Sequence, residues 1–221
     1  ARPSLPKETG AGRTSQRGIT SMTTQNTKTA KRCCGTSVGG RLTRTSPATG
    51  QTEYAILGRA WYPVGWAPFA GHARDHGQKD FREAVVAEGS EELGITVTGM
   101  TELFTVHLPN LCASLPHQPR PGHLWTVYDI HTPDTVLTPA PGETTGAEWV
   151  TAEELQRLAE VTIAFACTGR PAQEQPRLSL EAVWVELLAR AGDITVPDTD
   201  RDAVARLYTT APGEYWLGGR P

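Results

Sequence analysis

Residues 80–95, Asp-Phe-Arg-Glu-Ala-Val-Val-Ala-Glu-Gly-Ser-Glu-Glu-Leu-Gly-Ile, read as one helix with both ends marked. Asp80 suits the N-cap, and Glu83 three residues later completes a capping box. Gly94 supplies a left-handed stop, followed by apolar Ile95. At about 100° per residue, Phe81, Ala84 and Val85 form an apolar stripe, and Glu88, Glu91 and Glu92 continue it. The carboxylates therefore extend the core face instead of opposing it. On an exposed face such neighbours would repel by only about 0.2–0.5 kcal/mol per pair. Turned inward, at roughly 6 Å and an effective dielectric of about 20, each pair would cost on the order of 3 kcal/mol. That placement calls for protons or cations, and three clustered carboxylates suit Mg²⁺ or Mn²⁺.

The rest of the chain supplies the frame for that helix. Its 221 residues suffice for one sizeable domain plus tails. Residues 1–31 are rich in Thr, Ser, Gln, Arg and Lys and carry little to bury, so they are expected to be a disordered tail. Residues 32–192 are expected to form the domain, and 193–221 a C-terminal extension with a short helix capped by Thr199. Segments Ser37–Thr43 and Thr52–Leu57 read as a hairpin around the turn at 45–50. Strands follow at 96–107, 124–131 and 148–150, and Thr151 with Glu154 opens a helix through a second capping box. Leu180, Val183, Trp184, Leu187 and Leu188 give the strongest helical stripe, expected to be a long helix packed on the sheet.

A formal charge of −3 gives no general affinity for nucleic acid, and no apolar run approaches the roughly 18 residues of a membrane helix. Neither nucleic acid nor membrane is an expected partner. No apolar signal core opens the sequence. Cys33, Cys34, Cys112 and Cys167 contain no Cys-x-x-Cys spacing and are read as reduced thiols of a cytoplasmic protein, not as zinc ligands. The apolar stretch Tyr215-Trp216-Leu217 suits docking on the domain or on a second copy in a homodimer.

The helix stretch resembles the signature of the Nudix hydrolases: Gly, five residues, Glu, seven residues, Arg-Glu, an aliphatic, any residue, Glu-Glu, any residue, Gly, an aliphatic. Glu88, Glu91, Glu92, Gly94 and Ile95 match it in register. Gly65-Trp66-Ala67-Pro68 and Ala70-Gly71-His72 look like the approach to this box, and the Trp125 strand and residues 143–149 like later elements. Four positions depart. The signature Arg falls on Ala87, the aliphatic on Gly89, the isolated Glu on Lys79 and the first Gly on Ala73; if Gly71 is the true start, the loop carries two extra residues.

The resemblance implies an α/β fold, an α/β/α sandwich around a mixed sheet. It also implies metal-dependent hydrolysis of a diphosphate in a nucleotide-derived, phosphorylated small molecule. Glu88, Glu91 and Glu92 would bind Mg²⁺ or Mn²⁺, with Glu91 or Glu143 taking the proton from water. Arg59, Trp66, Gly71 and His72 are the candidate substrate-binding residues. Ala87, Gly89 and Lys79 favour the alternative, a catalytically silent module that binds a nucleotide or metabolite.

Overall fold

A computed structural model describes residues 33–74, 80–112, 122–139, 141–142 and 144–211. The hairpin forms as the sequence predicts. Strands β1 (Thr36–Thr45) and β2 (Thr52–Arg59) pair antiparallel, with Thr43 opposite Tyr54. The turn is closed by Ser46 N–H to the Gln51 carbonyl at 2.7 Å and Gly50 N–H to the Ser46 carbonyl at 2.9 Å. Two short strands follow, β3 (Trp66–Ala67) on β2 and β4 (Phe69–His72) on β1. After helix α1 (Phe81–Leu93) come β5 (Gly99–Leu108), β6 (His123–His131) and β7 (Thr144–Thr151).

Strand β6 runs parallel to β1 and antiparallel to β5, while β7 pairs antiparallel with β2, so the sheet is mixed. The β1–β6 pairing brings residues distant in sequence into one register, Ser37 opposite Trp125 and Gly39 opposite Val127. On its other edge, β1 holds β4 with Ser37 opposite His72 and Val38 opposite Gly71.

Alternation along the strands divides the core between two faces. Ile56, Trp125 and Val127 face α2 (Ala152–Cys167), α3 (Ala182–Ala191) and α4 (Arg201–Thr209). Leu57, Tyr128 and Ile130 pack with Ala84, Val85 and Leu93 of α1. The result is the expected α/β/α sandwich around a mixed sheet.

Two adjacent glycines at the centre of β1 make both layers possible. A Cβ on Gly39 would lie 2.6 Å from the Trp184 ring of α3. A Cβ on Gly40 would coincide with the Phe69 ring on the opposite face. Successive strand residues point to opposite faces, so each glycine admits one fully buried aromatic residue.

Several expectations change in detail. The longest helix is α2, whose capping box is present: Glu154 N–H donates to Thr151 Oγ1 at 3.2 Å and Thr151 N–H to Glu154 Oε2 at 2.9 Å. Helix α3 spans only ten residues. Leu180 lies before it in extended backbone, bridged to Trp66, so the apolar stripe continues past the helix end. Thr199 does not cap α4. It sits in a 3-10 turn, Asp198–Asp200, and donates to Asp200 Oδ1 at 3.1 Å. Ile194, Val196, Val204 and Leu207 bury in the same core as α3, which ties the region after residue 193 to the sheet. Trp125 is a core residue. Its Nε1 donates to buried Asn110 Oδ1 at 2.9 Å, and its ring meets Trp184 edge-on at 5.9 Å. Among the described residues, no helix is long and apolar enough to cross a membrane.

Candidate active site

Asp80 caps the acidic helix and Gly94 stops it, as the sequence predicts. Asp80 Oδ1 accepts from Glu83 N–H at 2.8 Å. Gly94 takes the left-handed conformation at φ 65°, and its N–H reaches the Ser90 carbonyl. The helix buries Ala84, Val85, Glu88, Gly89 and Leu93, so the first carboxylate does continue the apolar stripe into the protein.

Glu88 is only 7% exposed. Its carboxylate fills the space that a side chain on Gly71 of β4 would need, so the pairing of Gly71 with Glu88 depends on the absence of a Cβ. One turn on, Glu92 Oε2 accepts from Ala70 N–H at 2.9 Å. Two helix carboxylates are thereby fixed against consecutive residues of one strand, while Glu91 is exposed beside them. These are hard oxygen donors, Glu88 buried and Glu92 held by a backbone N–H, and that donor chemistry fits Mg²⁺ or Mn²⁺.

The departure at Gly89 has a packing reason. A Cβ there would lie 3.2 Å from the Phe69 ring and 3.4 Å from Ile95 Cδ1. Phe69 and Ile95 occupy the volume that an aliphatic residue at this position would claim. The helix gives up about 1 kcal/mol of propensity relative to Ala, and the space is filled from the strand side. Ala87 is half-buried, and Lys79 lies outside the described residues.

The remaining candidates separate. Arg59 Nε lies 3.4 Å from Glu181 Oε2, close enough for ionic attraction but not aligned as a hydrogen bond, and neither atom has a hydrogen-bond partner among the described residues. Burial pushes the Glu181 carboxyl above its usual range, with Arg59 opposing the shift. Burial, assisted by Glu181, raises the Tyr62 hydroxyl to about 12. Trp66 joins the region around Glu181: its N–H donates to the Ser179 carbonyl at 2.7 Å, and its own carbonyl accepts from Glu181 N–H at 2.8 Å. Its ring packs on the α2–α4 core. His72 Nε2 lies 3.1 Å from Cys112 Sγ. Glu143 lies outside the described residues.

A pocket that the sequence did not suggest opens beside the Arg59 partner. Tyr62, Val64, Asn110, Gln175, Glu181 and Tyr208 are among its lining residues, and none of the three α1 glutamates is. Its walls come from five separate segments, so no local pattern announces it.

The chain is similar to several solved structures. The NUDIX domain of Shewanella oneidensis NrtR, in complex with ADP ribose, is 12% identical, with 71% of this chain and 85% of that one covered at a TM-score of 0.49. A Caenorhabditis elegans Ap4A hydrolase binary complex is 22% identical, with coverage of 53% and 80% and a TM-score of 0.38. A MutT NUDIX hydrolase from Burkholderia pseudomallei is 19% identical, with coverage of 56% and 85% and a TM-score of 0.42. No curated protein matches the sequence. The NUDIX domain family itself matches residues 47–167, more than half of the chain, and that stretch includes β2, β4 and the acidic helix. The chain belongs to the NUDIX domain family.

Proposed function

We propose that this protein is a Mg²⁺- or Mn²⁺-dependent hydrolase of a diphosphate linkage in a nucleoside diphosphate joined to a second moiety. The observation that supports this most is the fixing of Glu88 in the gap at Gly71, with Glu92 on the Ala70 N–H. Burying a carboxylate is expensive unless hydrogen bonds or cations compensate it. Here the helix, strand and glycine all serve to bury one beside two others.

In this reading Glu88, Glu91 and Glu92 hold the ion. When bound, the ion neutralises phosphate charge and lowers the pKa of water. Glu91, which is exposed, or Glu143 takes the proton from the attacking water. Gly71 gives the Glu88 carboxylate its seat, with His72 next to it on β4 and Trp66 on β3 as the further substrate-binding candidates. Arg59 would bind a phosphate by exchanging the Glu181 carboxylate for it, a swap of one anionic partner for another. The substrate is a phosphorylated small molecule in the cytoplasm and not a nucleic acid. Residues 32–192 are the catalytic domain in this proposal.

The test is a phosphate-release screen with Mg²⁺ over nucleoside triphosphates, nucleotide sugars, ADP-ribose, dinucleotides and coenzyme A derivatives. A Glu91→Gln/Glu92→Gln variant is the control, since glutamine at 92 keeps an acceptor for Ala70 N–H while removing the charge. Metal-dependent release by the native chain and its loss in the variant is the expected result. Binding of a nucleotide without release from any compound would instead support a silent binding module, the reading that Ala87 favours.

A further inference from the structure

Four residues from four separate segments converge at one corner of the sheet. Cys33 precedes β1, His72 ends β4, Cys112 follows β5 and His123 begins β6. One ligand atom from each lies within 4.8 Å of all the others. Cys33 Sγ is 3.0 Å from His123 Nε2, and His72 Nε2 is 3.1 Å from Cys112 Sγ. The two imidazoles stack at 5.4 Å with 26° between their planes. We propose that Cys33, His72, Cys112 and His123 form a structural zinc site.

The donor set carries the choice of metal. Two thiolates and two imidazoles match a closed tetrahedral zinc site, and they are poor ligands for Mg²⁺. With metal–sulfur bonds near 2.3 Å and metal–nitrogen bonds near 2.0–2.1 Å, ligand atoms in a tetrahedron stand roughly 3.3–3.8 Å apart. The two sulfur–nitrogen distances need to open by only a few tenths of an ångström to reach this. Two thiolates and one divalent cation sum to zero charge, which suits a location where Cys33 and His123 are each 3% exposed.

Independent features support it. Nε2 is the His123 ring nitrogen that meets Cys33 Sγ, so it is the atom presented to the ion. Gly35 N–H donates to Cys33 Sγ at 3.3 Å, an outer contact of the kind that orients a ligand sulfur. Neither Cys33 nor Cys112 is in a disulfide among the described residues. The sheet pairs Ser37 with His72 and Leu108 with His123, so the pairing that builds the core also sets the ligands in place.

All four coordination positions are filled by protein, so the site is structural and not catalytic. It clamps the β4 end next to Gly71, where Glu88 is seated. The metal would thus hold the strand that positions the acidic helix. This assignment does not depend on the proposed hydrolysis.

The test uses the full, untagged chain produced with zinc in the medium. Elemental analysis should find one equivalent of zinc per chain. Cobalt exchanged into it should give the visible bands of a tetrahedral ion and the near-ultraviolet absorption of thiolate ligands. Cys33→Ser and His123→Gln should lose the metal, or lose the thiolate absorption or tetrahedral bands if a partial site persists. Cys34→Ser, Cys167→Ser and Glu91→Gln should keep it. Should the serine and glutamine variants at the four ligands fail to fold, the native-chain stoichiometry and cobalt spectrum still decide. A folded native chain with well under one equivalent of zinc and no tetrahedral cobalt spectrum would overturn the assignment. So would a Cys33–Cys112 disulfide in the native chain, or metal loss from Cys34→Ser or Cys167→Ser.

Discussion

The Phe69 ring is clasped between Gly40 of β1 and Gly89 of α1, and Gly40→Ala tests how much the fold depends on that clasp. The added methyl would land on the ring itself. The ring tip is crowded by α1 as well, since a Cβ on Gly89 would stand 3.2 Å from the same Cζ atom. Phe69 is fully buried, so solvent offers no alternative position. Overpacking of this kind costs about 1–3 kcal/mol, and the crowding from α1 puts Gly40→Ala at the upper end. Phe69→Leu alone removes ring volume and should cost a similar amount through the space it leaves. Together, leucine yields where phenylalanine cannot, and the double variant should be more stable than the sum of the singles by about 0.5–3 kcal/mol. Urea denaturation with a shared slope measures all four corners of the cycle. Strict additivity would refute the clasp. Phe69 lies two residues before Gly71, so Gly40→Ala should also lower any hydrolytic activity.

Further outcomes follow from individual contacts. Gly89→Ala should be nearly neutral by thermal denaturation, because about 1 kcal/mol of helix propensity offsets the tight contacts to Phe69 and Ile95. Gly71→Ala should drive the Glu88 carboxylate out of its seat and weaken metal binding by calorimetry, with the fold retained. Glu181 has a folded-state pKa above its ordinary value of 4.5. Its protonated form therefore favours the folded state below that value, and this contribution is lost as pH rises through the folded pKa. Glu181→Gln should flatten that decline in a pH series of urea midpoints. An unchanged slope would show that burial does not hold the Glu181 carboxyl above its usual range.

Much of the fold is legible in local sequence. Asp80 and Gly94 bracket α1, Thr151 and Glu154 open α2, and the turn at 45–50 closes the hairpin, since each signal acts within a few residues. The inward turn of Glu88 also follows from helical spacing, but the same spacing put Glu91 on the core face, and it is exposed. What escapes is non-local. Gly39 and Gly40 matter because of Trp184 and Phe69, aromatics that sheet pairing and helix packing bring to them. Arg59 meets a carboxylate more than a hundred residues away, so a phosphate role for it could be proposed only by resemblance. The Cys and His ligands span 33–123 with no short spacing, and the zinc reading set aside on spacing returns on geometry. Thr199 had the right residue type for a cap, but a 3-10 turn placed Asp200 at the boundary.

The central claim is that the α1 carboxylates bind a divalent cation in the folded protein. Clustered carboxylates repel without a cation, and binding to the native state alone raises its stability in proportion to RT ln(1 + [L]/Kd). With Ala87 in place of the signature Arg, affinity should be weak and the stabilisation evident at millimolar metal. Titration calorimetry with Mg²⁺ and Mn²⁺, paired with thermal midpoints, measures both. The native chain should show binding heat and a rising midpoint, and Glu91→Gln/Glu92→Gln should show neither. Equal midpoints for the two proteins at saturating metal, with no heat from either, would contradict the account.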